Sequence, residues 1–269
     1  MVGTHDWSES FVPRSAQHGV VLLVCALTIA LACVIGRALL MRDLRDGAAV
    51  PRAGRERAWR HTLAWSILAS QSVILVRRLL PENFDLDDSL PLHLCRIGVW
   101  VAAWLLFTLD TRARALTLFW GIGLSMQIFF TPFLEAGHGS LVFWIYWLNH
   151  VQIVGAGVYD IAVLGYRPGW RDLRFASALG VVYAALVAGV NAALGTNYSY
   201  LGAGEHDGAS VVDLLGAYPW RMVWMTLGAL ALFTLIFGVS RGAGLVRTRV
   251  LKIPPALRID RSGRADARA

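Results

Sequence analysis

The sequence predicts an all-α membrane protein with seven transmembrane helices, its N-terminus outside and its C-terminus cytoplasmic. Three observations predict it. Charged residues make up only 16% of the 269-residue chain and apolar residues 56%, with a mean hydropathy of +0.53, whereas about 25% of a soluble domain is charged. Seven apolar runs reach or approach the roughly 20 residues that a helix needs to cross a bilayer. The hydrophilic segments between these runs alternate in charge.

The runs lie at about 19–40, 60–80, 92–109, 115–134, 142–164, 173–194 and 219–240. The first is preceded by Asp6 and Glu9, with Arg14 as its single basic residue, and is followed by Arg37, Arg42 and Arg45. A signal peptide carries its positive charge before the apolar stretch. The reversed order predicts an uncleaved anchor, with residues 1–18 as a short extracytoplasmic N-terminus.

The segments that follow alternate. Arg42, Arg45, Arg52, Arg55 and Arg57 fill the first, and Glu82, Asp85, Asp87 and Asp88 the second. Arg112 and Arg114 mark the third, Glu135 the fourth, and Arg167, Arg171 and Arg174 the fifth. Glu205, Asp207 and Asp213 mark the sixth. The tail, 241–269, carries Arg241, Arg247, Arg249, Lys252 and Pro254-Pro255 and is expected to be disordered. Basic loops stay in the cytoplasm, and seven crossings close this alternation. Trp59, Trp144, Tyr166 and Trp220, near run ends, fit an interfacial aromatic belt. The expected location is a cell membrane, crossed many times, with membrane lipids as partners.

The net charge is +7, and 24 of the 25 basic residues are Arg. They lie between apolar runs, so topology accounts for them and no nucleic-acid partner is expected. Cys25, Cys33 and Cys95 are too few, and odd in number, for a disulfide framework.

Polar groups inside spans are costly and mark function or interior packing. Four clusters fall at the outer ends of four spans: Leu90-Pro91-Leu92-His93-Leu94-Cys95-Arg96, Gln127 with Thr131-Pro132, Asn149-His150, and Asn191 with Gly195-Thr196-Asn197-Tyr198. In a helix His93 and Cys95 point about 200° apart, so Cys95 must find a partner on another span. His93 and Arg96 share a face. His150 lies in the outer half of its own span. A histidine beside a thiol takes its proton and makes the thiolate, the nucleophilic form. Gln127, Asn149 or Asn191 is placed to orient the ring or donate to an oxyanion, and Arg96 to hold a phosphate. Each has a plainer reading. Cysteine packs in cores, span Asn and Gln join helices, Arg96 snorkels, Thr131-Pro132 ends a helix and Gly195 caps one. The opposed faces of His93 and Cys95 argue against a metal site with His150, and no metal or cofactor is expected.

The segment Leu90-Pro91-Leu92-His93-Leu94-Cys95 resembles the signature of the YwaF-like integral membrane proteins of bacteria. Phe119-Trp120-Gly121 with Gln127 and Thr131-Pro132 is similar to that family's next stretch. So are Gly195-Thr196-Asn197-Tyr198 with Tyr200-Leu201, and Asp213-Leu214-Leu215-Gly216 with Pro219-Trp220. The resemblance runs from about 60 to 240. It includes an animal relative, transmembrane protein 164, regarded as a cysteine-dependent phospholipid acyltransferase and distantly similar to androgen-induced fatty-ester hydrolases. The resemblance implies Cys95 as nucleophile, His150 as base, and His93 and Asn191 in support. The expectation is an acyl-transfer enzyme acting on phospholipid or other fatty-acyl esters. The alternative is a seven-helix binder or transporter of lipid or a small molecule. A structural subunit is a third reading, resting on Gly121 and Ser125 at small-xxx-small spacing.

Overall fold

Along α1 (Ala16–Arg45) the large apolar side chains point away from the protein. Val20, Leu23, Val24, Leu27, Leu31 and Val34 are exposed, while Gln17, His18, Cys25, Gly36 and Asp43 are buried. This inversion of a soluble helix is what a lipid solvent selects, because apolar surface gains nothing by hiding from it. The computed structural model describes residues 7–48, 53–86, 89–203, 214–249, 258–259 and 265–266. Asp6, Arg52, Asp87, Asp88, Glu205, Asp207, Asp213, Lys252 and Pro254-Pro255 lie outside the described residues.

Seven α-helices occur among the described residues. After α1 come α2 (Arg55–Leu79), α3 (Leu94–Thr108), α4 (Thr111–Leu116), α5 (Leu141–Ala162), α6 (Trp170–Leu194) and α7 (Trp220–Arg249). Four are long and apolar enough to cross a membrane: α1, α5, α6, and α7 over Trp220–Gly242. A pair of two-residue strands, Arg258–Ile259 and Ala265–Asp266, forms an antiparallel ladder in the tail. α7 itself continues past the expected end at 240 to Arg249.

Two runs depart from single straight helices. α3 has 15 residues, about 22 Å at 1.5 Å per residue, short of the ~30 Å hydrocarbon thickness. Its start is delayed to Leu94 because His93 is extended, with φ −66° and ψ 138°. The fourth run is composite. α4 passes into a π-helix, Thr117–Leu124, and then a 3₁₀ turn, Met126–Phe129. The widened turns let this segment lie close against α5. Ile153 of α5 sits over Gly121, where an added Cβ would be 2.9 Å from its Cγ2. Ile122 sits over Gly157 of α5 in the same way.

α3 is the central helix. Its Val99, Ala102, Ala103, Leu105 and Leu106 pack with Ala64 and Ile67 of α2 and with Ile153, Ala156 and Tyr159 of α5. A second core joins Phe119 and Trp120 of the π-helix to Ala176 of α6 and Phe233 and Phe237 of α7. At the end where α3 begins, a strap from the N-terminal segment pairs with the loop before α5. Phe11 N donates to Glu135 O (2.7 Å), Gly137 N to Glu9 O (3.1 Å) and Gly139 N to Ser8 O (2.9 Å). Phe11 anchors the strap between His18, Phe143 and Trp147.

The opposite end holds buried charges. Arg114 of α4 makes a two-pronged pair with Asp160 of α5 (2.9 and 2.7 Å), its guanidinium 4.5 Å above the Tyr166 ring. Glu56 accepts from Arg60 (3.2 Å) and from Tyr159 Oη (2.9 Å), and Arg60 donates to Leu106 O at the end of α3. Asp43 accepts from Glu56 N (2.9 Å), closing the α1–α2 corner. One expectation is corrected here. Tyr166 is buried under Arg114 and is not a belt residue. Trp59 donates to Ala32 O (3.2 Å), tying α2 to α1. Trp144 and Trp220 are exposed.

Candidate functional site

The site forms where the start of α3, the end of the π-helix and the first half of α5 meet. Cys95 is the second residue of α3, two positions past the N-cap His93. Its Sγ lies 3.7 Å from Ser125 Oγ, on the last turn of the π-helix. Its thiol also interacts with the His150 imidazole and, electrostatically, with Arg96. Tyr146, Tyr183 and Tyr200 are near enough to feel its charge. Cys95 is half-buried and packs against the first core.

His150 is buried, at 4% exposure. Its Nδ1 lies 2.6 Å from the Tyr146 carbonyl oxygen. A carbonyl can only accept, so Nδ1 carries the proton and Nε2 the lone pair. Nε2 is buried and has no hydrogen-bond partner among the described residues. Its neighbour is the Cys95 thiol, with which the ring interacts while falling short of a well-aligned hydrogen bond. The Tyr146 ring supports the imidazole at 4.8 Å between centroids. The packing of α5 against α3 brings Cys95 and His150 together.

The position of Cys95 adds an electrostatic element. The first N–H groups of a helix point at whatever lies beyond its end, and negative charge is favoured there. Leu94 N donates to Ser199 Oγ (3.1 Å) and Arg96 N to His93 O (2.9 Å). Cys95 N has no acceptor among the described residues.

The other candidates divide. His93 lies outside the helix, so the opposed-face argument does not govern it. Its Nδ1 accepts from Ser199 N (3.3 Å) and its ring meets Tyr198 edge-on at 5.1 Å. Arg96 donates to Leu90 O (3.1 Å), bracing the turn that leads into α3. Asn191 is a loop anchor. Its Oδ1 accepts from Tyr198 N (2.8 Å) and Thr196 Oγ1 (2.9 Å), and its Nδ2 donates to Tyr198 O (3.0 Å). Asn197 Oδ1 accepts from Gly202 N (2.9 Å) in the same loop. Gly195 caps α6 with φ +71°. Asn149 faces α2, where its Oδ1 accepts from Gln71 Nε2 (2.6 Å) in a polar seam with Gln152 and Ser70. Gln127 is exposed on the 3₁₀ turn.

Three participants escaped the sequence reading. Ser125 entered it only as a small residue for helix contact, and here Gly121 and Ser125 are spent on contacts inside the chain. Tyr146 fixes the imidazole. Tyr183 of α6 donates to Leu92 O (2.7 Å) and lies 2.6 Å from Ser199 Oγ, locking the segment before Cys95. A buried tyrosine at a span end carries no signal that separates it from packing.

Fold and site together define a helical membrane protein with a half-buried thiol beside a buried imidazole at one end of its bundle. The TMEM164 family model matches residues 14–237, nearly all of the helical domain, and the chain belongs to that family. No curated protein and no solved structure matches the chain. Among the described residues, no group of three His, Cys, Asp or Glu is arranged to hold a metal ion.

Proposed function

We propose that the chain is a membrane-embedded acyl-transfer enzyme of the YwaF-like bacterial branch, using Cys95 as nucleophile and His150 as base. The observation that carries this reading is the imidazole. A histidine buried in a membrane protein, with one nitrogen fixed by a backbone carbonyl and the other unsatisfied beside a thiol, is costly unless it handles that thiol's proton. The substrate is a phospholipid or another fatty-acyl ester of the bilayer. Nε2 takes the thiol proton as Sγ attacks the ester carbonyl. The imidazolium returns that proton to the departing alcohol, leaving a thioester on Cys95. A second alcohol, or water, gives its proton to Nε2 as its oxygen attacks the thioester carbon; the C–S bond breaks, and the imidazolium returns that proton to the released Cys95 thiolate.

In the same reading the chain crosses the bacterial inner membrane seven times, N-terminus outside, with the thiol end at the outer leaflet. Support comes from the alternation of loop charge and from the lipid-facing apolar surfaces of α1, α6 and α7. Intact-mass spectrometry of the purified protein with a lipid-like chloroacetamide tests the chemistry. Cys95 labels fast, Cys25 and Cys33 do not, and His150→Ala slows Cys95 at least about 100-fold, the low end of general-base catalysis. Slow labelling of Cys95 that ignores His150→Ala rejects the enzyme and leaves a binder or transporter.

A further inference from the structure

From the contacts around the thiol we infer that Ser125 Oγ and the backbone N–H of Cys95 form the oxyanion-binding pair of this site, with Ser125 a catalytic residue. The inference rests on the acyl-transfer reading and assigns a part of the reaction that the thiol and imidazole leave unserved. When Sγ bonds to an ester carbon, the carbonyl π electrons move to oxygen. That charge needs donors held in advance where it appears.

Two donors meet the requirement. Cys95 N is the second amide of a 15-residue helix and has no acceptor among the described residues, although the amides on either side of it do. Ser125 is buried, and its Oγ lies 3.7 Å from Sγ. Its one other side-chain hydrogen bond among the described residues is a long one, 3.5 Å, to Trp120 O. A hydroxyl held that loosely turns to a stronger acceptor without breaking a good bond. The oxygen of the attacked carbonyl is the acceptor assigned to both donors. The helix N-terminus does not stand alone in this assignment. The unpartnered Nε2 of buried His150 reaches the same thiol, so base and anion donors converge on one atom.

The π-helix explains why Ser125 is there. Ser125 N donates to both Gly121 O and Trp120 O, four and five residues back. That widened turn carries the serine beside α3. π-Turns are frequent at functional sites for this kind of re-aiming.

Two electrophiles separate oxyanion binding from thiol activation. Iodoacetamide alkylates sulfur by displacement at an sp³ carbon, and no oxyanion develops on the path. A p-nitrophenyl acyl ester reacts through a tetrahedral oxyanion. With the full-length protein in detergent, Ser125→Ala is expected to lower the acylation rate of Cys95 by about 100-fold, the usual loss of one oxyanion donor. Alkylation by iodoacetamide stays at the wild-type rate, which also reports an intact site, and Ser125→Thr restores acylation. Equal loss in both reactions that Ser125→Thr does not reverse makes Ser125 a structural support and overturns the assignment. So does a Ser125→Ala protein acylated at the wild-type rate. If wild-type Cys95 takes no acyl group at all, the acyl-transfer reading falls first and this one with it.

Discussion

At the scale of single residues, the polar side chains near the thiol differ in what their removal would expose. Asn191 satisfies three partners around the Thr196–Tyr198 loop and is 2% exposed. Asn191→Ala removes the side-chain acceptor of Tyr198 N and Thr196 Oγ1 and one of the donors to Tyr198 O, a loss of about 1–3 kcal/mol. Thermal unfolding in detergent is expected at a clearly lower temperature, while the Cys95 labelling rate of the protein that remains folded is unchanged. Asn149→Ala breaks the seam with Gln71 and likewise leaves the thiol chemistry alone, because Asn149 faces α2 while its neighbour His150 faces Cys95. A labelling rate that fell with either Asn variant would return these residues to the reaction. Successive residues on a helix are about 100° apart, and one sequence position is enough to separate glue from chemistry.

At the scale of elements, the close approach of the π-helix to α5 sets where Ser125 lies relative to His150. Gly121 has no room for a side chain under Ile153, and Ile153 is one turn from His150 on α5. Gly121→Ala forces the two segments apart and draws Ser125 and His150 off the thiol. Cys95 acylation should drop, and adding Ile153→Ala should recover part of it. The double-mutant cycle then shows a coupling of about 0.5–3 kcal/mol, as for residues in direct contact. Rates that simply multiply would mean the close approach is not what aligns the site. This element also marks the limit of what the sequence disclosed. The run at 115–134 read as one apolar span, and apolar content cannot tell an α-turn from a π-turn. Cys95 and His150 stood out because a thiol and an imidazole are rare at such depth. Ser125 did not, since a small residue in a span reads as packing. Glu56, Arg60, Arg114 and Asp160 form buried pairs, yet Arg114 read as loop charge and the other three drew no reading. Pairing is a tertiary fact, and a count of charges along the chain does not contain it.

At the scale of the molecule, the two ends of the bundle are electrically unlike, and the proposed orientation follows from that. Around the ends of α1, α4 and α6 opposite the site, Arg42, Arg45, Arg112, Arg171 and Arg174 are exposed. The site end carries Glu82 and Asp85 just beyond α2, but also Arg77 and Arg78 in the last turn of that helix. Those two arginines oppose the rule locally. They are outweighed because orientation follows the Lys and Arg bias summed over all short loops, and every loop at the other end contributes to it. The buried pairs do not enter the sum as free charge: Arg114 is spent on Asp160 and Arg60 on Glu56. Single-cysteine reporters test the outcome in a background with Cys25, Cys33 and Cys95 replaced by alanine. In intact cells with a permeable outer layer, a membrane-impermeant maleimide should label Glu82→Cys directly, and Arg112→Cys only after the inner membrane is opened. Both positions are exposed, so access to reagent and not burial decides the result. The reverse pattern would set the thiol end against the cytoplasm, and the acyl ester would then have to come from the inner leaflet.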